Sequence, residues 1–422
     1  MKILFLTQVL PYPLVGGAKI RAYYMLRHLA QTHRVTLVSF VREDDRMEDV
    51  AHLAQFCAAV HTVPMVRSRI KDGLALVQSV VTGQPAAITR DRVPAMEALL
   101  ARLARQTPYA VVHADQTAMA QYALYAAKQS ALHGHRPNTL LDQHNAMYLL
   151  VERQAAYERG PARLIWKREA RLFRRYELGL LRDFDHIFWV TPEDLEVAAR
   201  LAESESNPTG GAAFERTKQT VIPICVDPDS QAAVEPVDDG PHIVHLGTMF
   251  WPPNVEGVLW FAREVLPLVL REVPEARFTV AGKGPPPAVQ ALAKPSSPVH
   301  GHVTIAGFVP DALPLLQRAR VFIVPVRAGG GMRVKIVDGW QWGLPIVSTT
   351  IGAEGIDTRP GENILLADSP QAFAEAVVRV LTDDRLAAAL RANGRRWVET
   401  HYNWKRVYPA QVDPVYARLE AR

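Results

Sequence analysis

Cysteine is nearly missing from this 422-residue chain. Cys57 and Cys225 are the only two, and no C-x-x-C occurs. That excludes a disulfide framework and a thiolate metal site, and it fits a reducing, cytoplasmic setting. Long apolar runs are missing too: none approaches the ~20 consecutive residues that span a bilayer. The apolar opening Met1–Thr7 is too short for a secretory leader and runs into proline and glycine, so it reads as a first strand. The basic residues lack the interleaved aromatics of a stacking platform, which argues against nucleic acid as a partner.

What is present describes an ordinary soluble globular protein, 48% hydrophobic and 22% charged. Its length suggests two domains, since single cores stop growing near ~250–300 residues. The net charge of +5 is uneven. Residues 1–220 carry 28 Lys and Arg against 22 Asp and Glu, and the remainder 20 against 21. Any one of these charges reads first as solvated surface. A basic first half also suits an anionic partner such as a membrane surface or a lipid diphosphate.

The chain is organised around Val321–Gly355. The run Val321–Val326 reads as a strand buried on both faces. Gly329, Gly330 and Gly331 follow and let the backbone approach a ligand closely. Met332–Trp342 reads as a helix stopped by Gly343-Leu344-Pro345, and Ile346–Thr349 as the next strand. Strand, glycine loop and helix N-terminus together make an anion site. Arg333 and Lys335 fall on the first turn, where cations oppose the helix dipole. A phosphate held between them and the loop amides explains them better than an intrahelical role. Asp338 falls about one turn later, placed to point toward the sugar or ribose of the same ligand.

These residues resemble the nucleotide-binding half of GT-B glycosyltransferases, in particular the retaining enzymes of glycosyltransferase family 4. Many of those carry two glutamates separated by seven residues, the second followed by a helix and Gly-x-Pro. Asp338 stands at the second glutamate, and Gly343 and Pro345 match. The first glutamate falls at Gly330 and is absent. The G-G-G-x-R-x-K-I variant resembles a subset acting in exopolysaccharide or surface-glycan pathways. The resemblance implies a donor contact at Asp338 on the ribose, and base contacts through Phe308 and Val309. It also implies a glycine loop near the N-terminus that meets acceptor and diphosphate. Gly16 and Gly17 stand there, with Lys19 and Arg21 close by to assist.

Along the chain, strand (2–7), glycine loop, helix (18–31) and strand (35–40) form a βαβ unit and predict a parallel sheet. The apolar segment Gly73–Val81, preceded by Arg67-Ser-Arg-Ile-Lys71, reads first as a core helix with a charged start, and second as a membrane-surface helix. Two strands end in chemistry-bearing residues, Asp115 and Asp142 with His144 just beyond. Ligand groups gather at the carboxyl ends of strands in such sheets. The bland readings are a turn-capping Asp and a packed His; family members with a histidine in this loop favour His144 as an active-site residue. A long basic helix, about 147–181, follows, and 203–218 reads as an exposed polar loop. Residues 243–246 open a second Rossmann-like half, with Gly247 after its first strand placed among the donor-binding residues. Gly282-Lys283-Gly284 is a weak dinucleotide signal, because it runs into three prolines rather than a helix. Trp404 reads as a core anchor in the last helix.

The reading that follows is α/β, with two Rossmann-like doubly wound domains facing across a cleft, the GT-B arrangement. Residues 1–220 form an acceptor-binding domain, joined by a crossover helix at about 403–422. Residues 221–240 form the hinge, and 241–402 the nucleotide-sugar-binding domain. The expected activity is transfer of a sugar from a UDP- or GDP-linked donor to a glycan, lipid-linked or small acceptor, with retention. No cofactor and no metal are expected, since cations and a helix N-terminus can neutralise the leaving diphosphate. The expected location is cytoplasmic, with membrane contact as a secondary reading. The rival readings are a catalytically inactive nucleotide-sugar-binding scaffold and a sugar-nucleotide 2-epimerase.

Overall fold

The computed structural model describes residues 1–205, 214–237 and 239–421. The chain divides into two compact units, Met1–Cys225 with Val407–Arg422, and Val226–Arg406. The change of unit falls at Cys225, inside the segment expected as a hinge.

The first unit is built on seven parallel strands: β1 (Lys2–Thr7), β2 (Arg34–Val41), β3 (Ala59–Pro64), β4 (Val111–Asp115), β5 (Asn138–Gln143), β6 (His186–Trp189) and β7 (Gln219–Val221). Their order is β3-β2-β1-β4-β5-β6-β7. Helices cover both faces of the sheet, so the strands read as continuous apolar runs; Ile3, Leu4, Phe5 and Leu6 are all fully buried. The order reverses between β1 and β4, the position where α/β sheets open a crevice at their carboxyl ends. Register puts Thr7 level with Asp115, and Asp115 level with Asp142. The two carboxylates therefore leave the sheet on one face. Residues 407–421 pack on this unit: Tyr416 Oη lies 2.6 Å from His113 Nδ1, and Asn138 donates to the Leu419 carbonyl at 2.8 Å.

Two sequence expectations change here. The long basic helix is two, Met147–Tyr157 and Gly160–Asp183, because Glu158 and Arg159 between them are extended and Gly160 opens the second with a left-handed φ of 62°. The helix Arg69–Thr82 does not enter the core. Ala75 and Ser79 are buried, while Ile70, Leu74, Val77 and Val81 face solvent. Residues 206–213 of the expected loop at 203–218 lie outside the described residues; the helix Pro192–Glu205 runs into its start.

The second unit has six parallel strands: β8 (His242–Leu246), β9 (Arg277–Ala281), β10 (Val303–Gly307), β11 (Ala319–Val324), β12 (Ile346–Ser348) and β13 (Leu365–Leu366), in the order β10-β9-β8-β11-β12-β13. Its core joins these strands to Phe261, Val265, Val269, Phe373 and Val377. The helix after the glycine loop is Val334–Gln341, shorter than the sequence suggests, with Arg333 at its N-cap. Gly343 at φ 70° ends it, and the Leu344 N–H returns to the Gly339 carbonyl at 2.9 Å. Trp404 is buried as expected, but in this unit. Among the described residues, no helix is long and apolar enough to cross a membrane.

Candidate active site

In the first unit, His144 Nε2 lies 2.9 Å from Asp115 Oδ1, and Asp142 is close enough that all three offer atoms within 4.8 Å of one another. All three are buried. The loop that carries His144 is held from several sides. Gln143 donates to Glu177 at 2.6 Å and to the Asn145 carbonyl, and Glu177 also accepts the Met147 and Tyr148 N–H groups that open the next helix. Asp194 accepts the Ala146 N–H at 3.1 Å. Burial raises Glu177 to about 7 in spite of these bonds. Beside Asp115, Gln116 holds φ 73° and ψ 154°, a region that side-chain-bearing residues rarely adopt. Its N–H is tied to the Asp142 carbonyl at 2.9 Å. Two of the predicted residues, His144 and Asp115, are thus one hydrogen-bonded pair with an over-determined backbone around it.

Arg21 requires a correction. It was expected near a bound diphosphate, yet it is fully buried, with no surface to offer a ligand. Its Nε sits 2.8 and 2.9 Å from the two Asp142 oxygens, and its Nη1 donates to the Ile222 and Pro223 carbonyls at 2.6 and 3.1 Å. Burial works against the charge on each partner, but their mutual attraction prevails. Arg21 ends above its ordinary value, and Asp142 below the usual carboxylate range. Asp142 is therefore engaged by Arg21, while His144 pairs with Asp115. Lys19 is likewise engaged, 3.4 Å from Asp45. Gly16 takes φ 86° ahead of the helix Gly17–Thr32, with open space around its Cα.

In the second unit, the carboxyl ends of three strands are packed backbone to backbone. Gly247 N–H donates to the Ala281 carbonyl at 3.0 Å, and Gly282 N–H to Gly307 at 2.7 Å. A Cβ at Gly282 would lie 1.7 Å from the Gly247 oxygen, so this glycine serves close strand packing rather than a dinucleotide. A Cβ at Gly247 would come within 2.8 Å of Lys335 Nζ, 2.8 Å of Asn254 Nδ2 and 3.1 Å of His245 Nε2. Lys335 donates to Asn254 Oδ1 at 2.8 Å, and Asn254 donates to the Thr248 carbonyl at 2.9 Å. His245 Nδ1 lies 3.0 Å from the Ile323 carbonyl, which makes Nδ1 the protonated nitrogen and leaves the Nε2 lone pair toward Gly247.

The electrostatics of this corner are unbalanced. Burial first, then Arg333, pushes Lys335 down to about 7. Burial raises Asp338 to about 7, with Lys335 opposing the shift. Both side chains keep some accessible surface. Burial and Lys335 hold His245 near 3, hence neutral. Arg333 does not reach over the helix. Its Nη1 donates to the Gly330 and Gly331 carbonyls, the latter at 2.8 Å, so the loop wraps around the guanidinium. Gly329 is needed there: at φ 122°, a Cβ would lie 2.6 Å from Arg333 Nη2. Phe308 and Val309 follow β10 at its carboxyl end, with Phe308 69% exposed.

Sequence reasoning missed His245 and Asn254. His245 reaches the site through Nε2, and Asn254 through both atoms of its amide. The only signal was position: the end of a strand, and the first turn of the helix Pro252–Trp260. Two Asp-x-Asp triplets occur, Asp183-Phe184-Asp185 and Asp227-Pro228-Asp229, and three of their carboxylates make structural bonds. Asp185 accepts the Thr139 N–H at 2.8 Å, and Asp227 and Asp229 hold Lys405 at 3.0 and 3.1 Å. Both thiols are buried and pushed up to about 12, which leaves them inert.

Residues 240–383 match the family model described as "Glycosyl transferases group 1". A curated protein from Klebsiella pneumoniae, an uncharacterized 44.6 kDa protein in the cps region, is 26% identical over 170 residues, 40% of this chain and 44% of that one. A GDP-mannose-dependent alpha-(1-6)-phosphatidylinositol monomannoside mannosyltransferase from Mycolicibacterium smegmatis is 27% identical over 211 residues, 46% of this chain and 54% of that one. The chain thus spans about half the length of the curated relatives it matches. The solved structure of Anabaena Alr3699/HepE in complex with UDP and glucose superposes with a TM-score of 0.68 at 13% identity, covering 99% of this chain and 100% of that one.

Proposed function

We propose that this chain, which has the fold of the GT-B glycosyltransferases and carries a group 1 glycosyl transferase domain, moves a sugar from a nucleotide-diphosphate donor to an acceptor. The observation that carries the reading is the corner at Gly247. There a lysine is held next to bare backbone, with its charge disfavoured by burial and by a second cation. A protein gains nothing in stability from such an arrangement; an anionic ligand gains from it. Lys335 would meet the diphosphate, with Asn254 orienting the ammonium. The amides at the start of the Val334–Gln341 helix would add donors that need no reorganisation. The neutral His245 lone pair would accept a hydroxyl or ammonium proton there. Asp338 would take a ribose hydroxyl, and Phe308 and Val309 would border the base. Lys335 and the helix amides are the donors read as meeting the leaving charge, which makes the proposed reaction metal-independent. Retention follows from the family resemblance.

His144, held by Asp115, is read as the group that hydrogen-bonds the sugar. The GDP-mannose and UDP partners named for the relatives make both nucleotides candidate donors. Gly330, standing where a glutamate is usual, favours a second reading as a binding scaffold without turnover. Calorimetry with UDP, GDP and their sugar conjugates tests the donor site, and turnover with a panel of acceptors separates enzyme from scaffold. The expected result is micromolar binding of one nucleotide, plus a His144→Ala variant that binds it within about twofold while losing about 10²–10⁴ in kcat. No binding by any nucleotide would sink the reading.

A further inference from the structure

The helix Arg69–Thr82 is turned inside out relative to an ordinary surface helix. Its inward face is small and polar, Ala75 and Ser79. Its outward face carries Ile70, Leu74, Val77 and Val81 at spacings of four, three and four. These are 77%, 57%, 62% and 82% exposed. This is one continuous apolar stripe along three turns, not scattered surface leucines. The orientation is fixed rather than incidental. Arg168, on the Gly160–Asp183 helix, donates to Ser79 Oγ at 3.0 Å and to the Ser79 carbonyl at 2.8 Å. Glu169 accepts from Ser79 Oγ at 3.3 Å and from the Ala86 N–H at 2.7 Å. Buried polar bonds thus hold the small face in and the apolar face out.

The surroundings of the stripe are cationic. Arg67 and Lys71 flank its N-terminal end, both exposed; Arg67 lies 3.6 Å from Asp91, and the one exposed acid of the helix, Asp72, lies 3.9 Å from Arg90. On the neighbouring helix, Leu164 is 70% exposed one turn before Arg168, and exposed Lys167, Arg171 and Arg175 share its outward side. The acidic residues of that helix are mostly turned inward, with Glu169 and Glu177 buried.

We propose that this face of the first unit seats on an anionic lipid surface, the stripe entering the acyl boundary and the basic residues meeting lipid phosphates. A convex apolar helix ringed by lysine and arginine has the chemistry of an interfacial membrane element. A second copy of the chain is the poorer occupant, because a two-fold contact through this face would set one basic ring against another. The inference does not depend on the transfer reaction.

The test is flotation of the full chain with vesicles of phosphatidylcholine alone, or with about one-third phosphatidylglycerol. The wild type is expected to float with the anionic vesicles and to be released by raised salt. Val77→Glu/Val81→Glu should lower the bound fraction at least about tenfold, and Arg171→Glu/Arg175→Glu by several-fold. The four side chains are exposed, so thermal melting of both variants should match the wild type, which separates lost docking from lost folding. Failure of the wild type to float overturns the proposal, as does flotation of Val77→Glu/Val81→Glu at the wild-type level. So does light scattering that shows a dimer converted to monomer by that variant, which would assign the face to a second copy.

Discussion

Each unit buries an acid and a base close together, with opposite results. In the first, Arg21 and Asp142 are fully enclosed, bonded through both carboxylate oxygens, and each is held more firmly in its charged form than usual. In the second, Lys335 and Asp338 are shifted the other way, both to about 7, and no hydrogen bond joins them directly among those of the described residues. The first pair completes itself. Its guanidinium also bonds the Ile222 and Pro223 carbonyls, tying the helix Gly17–Thr32 to the segment after β7. The second pair is left wanting a counter-charge at a glycine-lined strand end. Buried charge alone therefore does not single out a candidate site; what singles out the second pair is the missing counter-charge.

The contrast is broken most directly at Arg21. Replacing it with methionine leaves Asp142 charged and buried with no cation, a mechanism that costs about 3–5 kcal/mol. Urea unfolding should show that loss, and Arg21→Met/Asp142→Leu should recover most of it. If Arg21→Met were as stable as wild type but lost nucleotide binding, the pair would be functional and the comparison false.

Lys335 should behave in the opposite way. Lys335→Ala removes an ionised group that the fold resists. Stability should hold within about 0.5 kcal/mol or rise, while affinity for the nucleotide diphosphate falls about 10- to 100-fold. A proton signature sharpens this. With its folded pKa near 7, Lys335 is largely neutral at mildly alkaline pH, and a bound diphosphate returns it to the charged state. Binding at about pH 8 should take up close to one proton. Calorimetry in two buffers of different ionisation enthalpy reads this uptake, and Lys335→Gln should abolish it. Uptake that persists in Lys335→Gln would locate the titrating group elsewhere.

How much of this was legible in the chain differs between the two pairs. The second site lies largely within one stretch, Gly329 to Asp338, so spacing alone gathered the loop, two cations and the acid. The strands were legible for a related reason: parallel strands buried on both faces leave unbroken apolar runs, as in β1 and β11. Arg21 was misread because its partner sits 121 residues away, and only the register of β4 and β5 brings Asp142 onto its face. His144 and Asp115 could each be singled out as strand-end residues, but their bond could not. The helix Arg69–Thr82 was read as core because apolar content says nothing about which face packs. Two hydrogen-bonded residues, Ser79 and Arg168, decide that. His245 and Asn254 were invisible because isolated polar residues at element ends carry no period.

Asp338 gives the smallest expected effect and the most direct probe of the imbalance. Its folded pKa lies above its ordinary value, so between the usual carboxylate range and about 7 the folded chain binds a proton that the unfolded chain does not. Stability from this group therefore falls as pH rises through that window. Lys335 works in reverse. Its folded pKa lies below its ordinary value, so above about 7 the unfolded chain binds the extra proton, and stability rises with pH. Together they predict a shallow dip centred near neutrality, on the order of 1 kcal/mol after allowance for the accessible surface both retain. Asp338→Asn removes the falling limb and leaves the rising one, so the variant should gain on the wild type progressively from pH 5 to about pH 7. Urea midpoints measured on both proteins across that range check it. A difference that does not change with pH would mean that Asp338 keeps its ordinary affinity for the proton, and that the second pair is as self-sufficient as the first.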